Sequence, residues 1–178
     1  VPDSGLGAAL GYSKASGISY AMGIVKNKYI GRTFIAPTQK ERERLVFVKL
    51  NAMKSDLDGK RVVVIDDSIV RGTTSRRLIQ ILRRAGAKEV HFRISSPPVK
   101  FPCHFGIDTP SKADLISSQH DVEEVRKEIG ADTLAFISLE GMFEALKEIC
   151  PSTYGYCKGC FTGEYPVSVP CNLHCKKN

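Results

Sequence analysis

The chain has 178 residues, a single domain's length and enough for one substantial hydrophobic core. Its 26 Lys and Arg against 19 Asp and Glu give a formal charge of +7, which favours anionic partners. No apolar run approaches the roughly 20 residues of a membrane span, and no aromatic-interleaved basic stripe of the kind that stacks single-stranded bases occurs, so membrane and nucleic-acid partners are set aside. The opening Val1-Pro2-Asp3-Ser4-Gly5 carries no signal-peptide pattern and no leading cap. We read the chain as soluble and cytoplasmic, and as a fragment or a processed product.

In chain order, residues 6–15 place Leu6, Ala9 and Leu10 at helical spacing and stop near Gly17, a residue suited to the left-handed position after a helix. Gly5, Gly7 and Gly11 do not make a dinucleotide fingerprint, because the third glycine is misplaced and no ribose-binding acid follows at the right distance. Residues 18–25 are a strand candidate. The polar, basic stretch 26–33 then reads as a solvated connection or as a mobile lid whose cations reach a polyphosphate. Residues 37–44 are charged and exposed, 45–50 alternate as a strand, and Asp58-Gly59 turns the chain. Residues 62–65 are four consecutive β-branched residues without alternation, the pattern of a parallel strand covered on both faces, and this strand is expected to be central. A helix follows over 76–85 with Gly86 as its stop, and 89–95 is the next strand, implying a right-handed parallel crossover. Ser96-Pro97-Pro98 ends it. Ser111 or Ser117 opens short helices, Asp121 caps a helix through Ile129, 134–137 is a short strand and 140–149 an amphipathic helix. The expected division is a domain over 1–150 and a Cys-rich tail over 151–178.

The chemistry concentrates after residues 62–65. Asp66 and Asp67 stand at the carboxyl end of a strand, where open α/β sheets bind ligands. Then Gly72-Thr73-Thr74-Ser75 supplies small residues, hydroxyls and free backbone N–H groups at a helix N-terminus, an anion site. The Walker pattern, with its lysine, is missing. Paired carboxylates suit a hydrated Mg²⁺ or the vicinal hydroxyls of a sugar, and with a phosphate cradle beside them they describe a sugar phosphate. Taken singly, an Asp-Asp pair is a solvated turn and a Gly-Thr-Thr-Ser stretch a helix cap; joined behind a buried strand they read as a site. Arg76, Arg77, Arg83 and Arg84 read as a solvated helix face, and His91 as packed or exposed rather than catalytic.

Six cysteines form the second constellation. Cys157-Lys158-Gly159-Cys160 is a C-x-x-C that can be redox-active, half a zinc site, an iron–sulfur half-site or inert, with Cys103 a third candidate. A redox role needs a following helix to lower the thiol pKa, which Phe161-Thr162-Gly163 does not promise, so a metal or cluster is the better reading. Cys171 and Cys175, with His174, lack a partner pair and are read as incidental.

The stretch from Val62 through Ser75, with its Asp66-Asp67 and Arg71-Gly72-Thr73-Thr74-Ser75, resembles the phosphoribosyl pyrophosphate (PRPP) motif of type I phosphoribosyltransferases. The start Val1-Pro2-Asp3-Ser4, the loop around Lys28-Tyr29-Ile30-Gly31-Arg32, Ser95-Ser96-Pro97-Pro98 and Cys103-His104-Phe105-Gly106-Ile107-Asp108 resemble the glutamine PRPP amidotransferase family within it, over most of the chain. The resemblance implies an α/β type I fold with a mainly parallel sheet, a flexible hood loop and Mg²⁺ chemistry. It implies that Asp66 and Asp67 engage the ribose hydroxyls and Mg²⁺, that Arg71, Gly72, Thr73, Thr74 and Ser75 hold the 5-phosphate, and that Ser68 belongs to the same PRPP-binding set. Asp3 and Ser4 would lie in the pyrophosphate loop with Ser4 near Mg²⁺, and Lys28, Tyr29 and Arg32 would close over PRPP. It further implies a [4Fe–4S] cluster on Cys103, Cys157 and Cys160 with the fourth Cys upstream, since four thiolates are the usual complement. The implied reaction is displacement of pyrophosphate by ammonia, the first step of de novo purine synthesis. A glutaminase domain, purine nucleotide inhibitors and a homo-oligomer are the implied partners. This chain alone is not expected to hydrolyse glutamine. A non-catalytic PRPP-binding regulator and a nucleobase phosphoribosyltransferase are the alternative readings.

Overall fold

The computed structural model describes residues 1–26, 50–149 and 155–168. Helix α1 (Leu6–Ser16) ends on Gly17 at φ 73°, the left-handed position that glycine takes without steric cost. Strands β1 (Ile24–Lys26) and β2 (Leu50–Ala52) pair antiparallel, and a short helix α2 (Lys54–Leu57) leads through Gly59 into β3 (Arg61–Asp66). Helix α3 (Thr73–Arg84) crosses to β4 (Glu89–Ile94). After a 3₁₀ turn (Lys112–Asp114) come α4 (Ile116–Gln119), α5 (Val122–Ile129), β5 (Thr133–Phe136), α6 (Leu139–Ile149) and α7 (Gly159–Thr162).

Strands β3, β4 and β5 form a parallel sheet in that order, with Val64 opposite Phe92 and Phe92 opposite Leu134. The core lies between this sheet and the helices. Leu78, Ile79 and Leu82 of α3 meet Val64, Val90, Phe92 and Ile94 of the sheet and Val125 and Ile129 of α5. Phe92 and Val90 are fully buried, and each such side chain contributes about 1.5–3 kcal/mol over its exposed state. Helix α5 is fixed at both ends: Asp121 accepts from the Glu124 N–H at 2.8 Å, Glu124 returns the bond to the Asp121 N–H, and Gly130 closes it at φ 82°.

Several expectations are corrected. Among the described strands β4, not β3, is in the middle; the apolar run of residues 62–65 reports burial on its two faces, not how many strands flank it. Residues 18–23 are not strand, and only Ile24–Lys26 finds a partner, in Leu50–Ala52. Ser111 precedes the 3₁₀ turn and bonds Asp114, but Ser117 is buried inside α4 and opens nothing. Helix begins inside the C-x-x-C: α7 starts at Gly159 and includes Cys160, Phe161 and Thr162. The lid residues Lys28, Tyr29 and Arg32, residues 37–44, and Cys171 and Cys175 lie outside the described residues. Among the described residues, no helix is long and apolar enough to cross a membrane.

Candidate phosphoribosyl-binding site

The end of β3 delivers Asp66 at only 5% exposure and Asp67 in the open. The Asp66 Oδ1 accepts from the Ser4 hydroxyl at 2.9 Å and from the Asp67 N–H at 3.0 Å. Burial raises the Asp66 pKa, those two hydrogen bonds work against it, and the neighbouring Asp67 charge adds to the rise. A carboxylate so poised gains from a cation placed beside it. Asp67 in turn accepts the Ser68 N–H at 2.7 Å, shaping the turn that follows.

The first loop is brought to this strand end by contacts no local pattern announces. The Val1 nitrogen donates to the Ile65 carbonyl at 2.6 Å. Gly5 is buried where a Cβ would stand 2.3 Å from the Ile65 carbonyl oxygen, so only glycine lets the loop lie this close. Asp3 holds φ 69°, unusual for a non-glycine residue, and is ion-paired to Lys26 at the end of β1. The resemblance places Asp3 and Ser4 in a site and the basic stretch from Lys26 in a lid, without pairing Lys26 to Asp3; it misses Gly5, though a glycine next to two candidate residues is the signal that could have raised it.

Opposite the acids, Gly72 stands at φ 75° as the residue before α3 and receives no side-chain cap. The first N–H groups of a helix lack intrahelical acceptors, which leaves those of Thr73, Thr74 and Ser75 without one inside the helix. Thr73 and Thr74 are exposed and Arg71 is exposed beside them, whereas Ser75 is buried. A Cβ on Gly72 would sit 2.7 Å from the Ile116 side chain, and the Ile116 N–H donates to the Val70 carbonyl at 3.0 Å, so α4 buttresses this turn from behind. Asp3, Ser4, Asp66, Asp67, Ser68, Arg71, Gly72, Thr73 and Thr74 thus belong to one loop cluster at the carboxyl end of the sheet.

Cys103, half-buried, is far from this cluster in the chain and lies instead with Cys157 and Cys160, which are exposed and half-buried. The Cys160 carbonyl accepts from the N–H groups of Lys100 and Phe101 at 2.9 and 3.0 Å. Burial pushes the Cys160 thiol up and the Cys103 and Cys157 thiols add to it against a backbone hydrogen bond, the reverse of the lowered pKa that a reactive redox thiol needs. Among the described residues no three His, Cys, Asp or Glu side chains are grouped to hold one metal ion. His91 is bonded to Thr133 and Glu89 at 3.0 Å each on the sheet, in keeping with a packed residue.

This arrangement, a parallel sheet with an acid pair and a glycine-led helix N-terminus at its carboxyl end, is the α/β fold of the type I phosphoribosyltransferases, and residues 8–95 match the phosphoribosyl transferase domain. Within that class the chain is similar to amidophosphoribosyltransferases. It is 55% identical over 170 residues to that of Bacillus subtilis, covering 95% of this chain and 36% of the relative, and 54% identical over 170 residues to that of Archaeoglobus fulgidus, covering 96% and 37%. A solved structure of the B. subtilis glutamine PRPP amidotransferase complexed with ADP and GMP superposes with a TM-score of 0.84 at 53% identity, over 96% of this chain and 38% of that one. The chain therefore spans little more than a third of the length of the relatives it matches.

Proposed function

We propose that the chain is the PRPP-binding part of an amidophosphoribosyltransferase, joining ammonia to the ribose of PRPP in the first step of de novo purine synthesis. The observation that carries this reading is the Ser4–Asp66 hydrogen bond, which joins the loop of Asp3 to the acid pair beside the Gly72 turn. In the reaction the C1–N bond forms as the C1–O bond to pyrophosphate breaks; the electron pair leaves on the pyrophosphate oxygen and the nitrogen sheds a proton. The backbone N–H groups of Thr73, Thr74 and Ser75, with the hydroxyls of Thr73 and Thr74, hold the 5-phosphate. Asp66 and Asp67 orient the ribose hydroxyls and favour positive charge at C1 in the transition state. Lys28, Tyr29 and Arg32 lie outside the described residues; in this reading their role is contact with the substrate.

The donor set of Asp66, Asp67 and Ser4 fits Mg²⁺, an ion that takes hard oxygens, and takes only one or two carboxylates while completing its shell from water and substrate. Bound there, Mg²⁺ would neutralise charge on the departing pyrophosphate. In the same reading Cys103, Cys157 and Cys160 would hold a [4Fe–4S] cluster, whose usual complement is four thiolates, with a fourth Cys from elsewhere in the full protein. A glutaminase domain, a homo-oligomeric cytoplasmic enzyme and purine nucleotide control belong to the same reading, the last supported by the relative complexed with ADP and GMP.

The test is pyrophosphate release from PRPP and Mg²⁺ by the full-length protein, with ammonia or a nucleobase as acceptor. Release with ammonia alone is expected. Release only with a nucleobase would assign it to another phosphoribosyltransferase, and PRPP binding without release to a regulator.

A further inference from the structure

Cysteines that share a ligand must be brought together by the chain around them, and two of the three here lie on a different loop from the third. The loop of Cys103 and the loop of Cys157 and Cys160 meet around one side chain, Tyr165. Its hydroxyl donates to the Pro102 carbonyl at 2.6 Å, immediately before Cys103. The ring stands edge-on to His104, centroids 4.9 Å apart, and tilted against Phe105 at 6.0 Å, immediately after it. On its other side the ring lies against Gly159, between Cys157 and Cys160, so closely that a Cβ there would be 2.3 Å from the Tyr165 Cδ1. One phenol therefore contacts the residues on both sides of Cys103 and the interior of the C-x-x-C, and the glycine of that motif is the seat for its ring.

We propose that Tyr165 is the positioning residue of the three-thiol site, clamping the Cys103 loop onto the Cys157–Cys160 loop so that the thiols converge. The inference rests on the cluster reading only for what the thiols hold. The clamp itself is a property of the chain. Two side-chain features carry it: the hydroxyl anchors the Cys103 side through Pro102, and the ring face fills the space that Gly159 leaves open. Each makes a separate expectation. Tyr165→Phe keeps the ring and loses the anchor. Gly159→Ala keeps the anchor and expels the ring, and in a Tyr165→Ala background it has nothing left to expel.

The test uses the full-length protein in two states. In the metal-free state, a short thiol–thiol crosslinker is applied and the yield linking Cys103 to Cys157 or Cys160 is read by mass spectrometry. Tyr165→Ala and Gly159→Ala are each expected to lower that yield roughly fivefold, Tyr165→Phe less, and the Ala–Ala double variant no more than Tyr165→Ala alone, the non-additivity of two residues in contact. In the iron-reconstituted state, iron and sulfide content and the decay of visible absorbance in air are read. Faster decay in Tyr165→Phe than in the parent is expected. Unchanged crosslinking in Tyr165→Ala, or fully additive losses in the double variant, would overturn the clamp. A parent protein that takes up no iron while its variants still lose crosslinking would sink the cluster reading and leave the clamp standing. Should Tyr165→Ala not fold, as judged by loss of PRPP binding, Tyr165→Phe and Gly159→Ala decide the matter.

Discussion

The Ser4 hydroxyl donates to the Asp66 carboxylate at 2.9 Å, tying the first loop of the chain to the end of its third strand. In the proposed site this bond sets the distance between the pyrophosphate loop and the acid pair. Ser4→Ala is expected to weaken PRPP binding about tenfold at saturating Mg²⁺, the effect of losing one hydrogen bond to a charged group. Titration calorimetry reads it directly, and an unchanged affinity would remove Ser4 from the site.

Asp66 sets function against stability. Burial raises its carboxyl pKa above the unfolded value, so the folded state binds the proton more tightly than the unfolded chain does. By linkage, stability falls as pH rises from the ordinary carboxylate value through the raised one, so a penalty is present at neutral pH. Asp66→Asn can still accept from Ser4 and from the Asp67 N–H and carries no charge. We expect it to melt higher than the parent at pH 7, with the gap closing as pH is lowered to 4, while PRPP binding is lost. Scanning calorimetry across that range checks the first part; a variant that melts lower at pH 7 counts against the raised pKa as a cost to the fold.

What the sequence made legible follows the range of the interactions. Helix α5 is written locally: Asp121, Glu124 and Gly130 specify its ends within ten residues, and its limits are as expected. The β-branched run before Asp66 and the turn after Arg71 were likewise plain, because strand burial and a helix N-terminus are encoded side by side. The contacts that assemble the site are not. Gly5 under the Ile65 carbonyl and Gly72 against Ile116 join residues distant in sequence, and nothing near either glycine names its partner. The same holds for residues 18–26, where pairing with Leu50–Ala52 decides which three become strand. Cys160 shows a different failure: a four-residue helix is too short to leave a periodic signal.

Gly72 faces two separable demands. Its φ of 75° disfavours any side chain, and a Cβ would also meet Ile116 at 2.7 Å. The conformational part costs about 1–2 kcal/mol for a non-glycine residue, so Gly72→Ala is expected to destabilise by at least that and to disturb the N–H groups assigned to the phosphate in the proposed site. Ile116→Val in addition should recover the steric part and leave the conformational part. Urea denaturation of the two single variants and the double variant separates them; full recovery in the double variant would show that backbone conformation carries no cost.

Asp132 predicts pH dependence of the opposite sign to Asp66. Its Oδ2 accepts the Val90 N–H at 2.6 Å and the Arg83 guanidinium at 2.5 Å, pinning the start of β5 to β4 and α3. Burial alone would raise its pKa, but the Val90 and Arg83 bonds outweigh it and hold the carboxyl below its ordinary value. A depressed carboxyl contributes stability above the unfolded pKa, and that contribution is lost as pH falls through the folded one. Asp132→Asn should therefore melt below the parent at pH 7, and the difference should shrink as pH falls below the ordinary carboxylate range. Arg83→Gln should lose the part owed to the ion pair and respond to salt less than the parent does, since screening weakens the pair only where it exists. A gap between Asp132→Asn and the parent that stays constant from pH 7 to pH 3 would show that the carboxylate's charge is not what holds the strand.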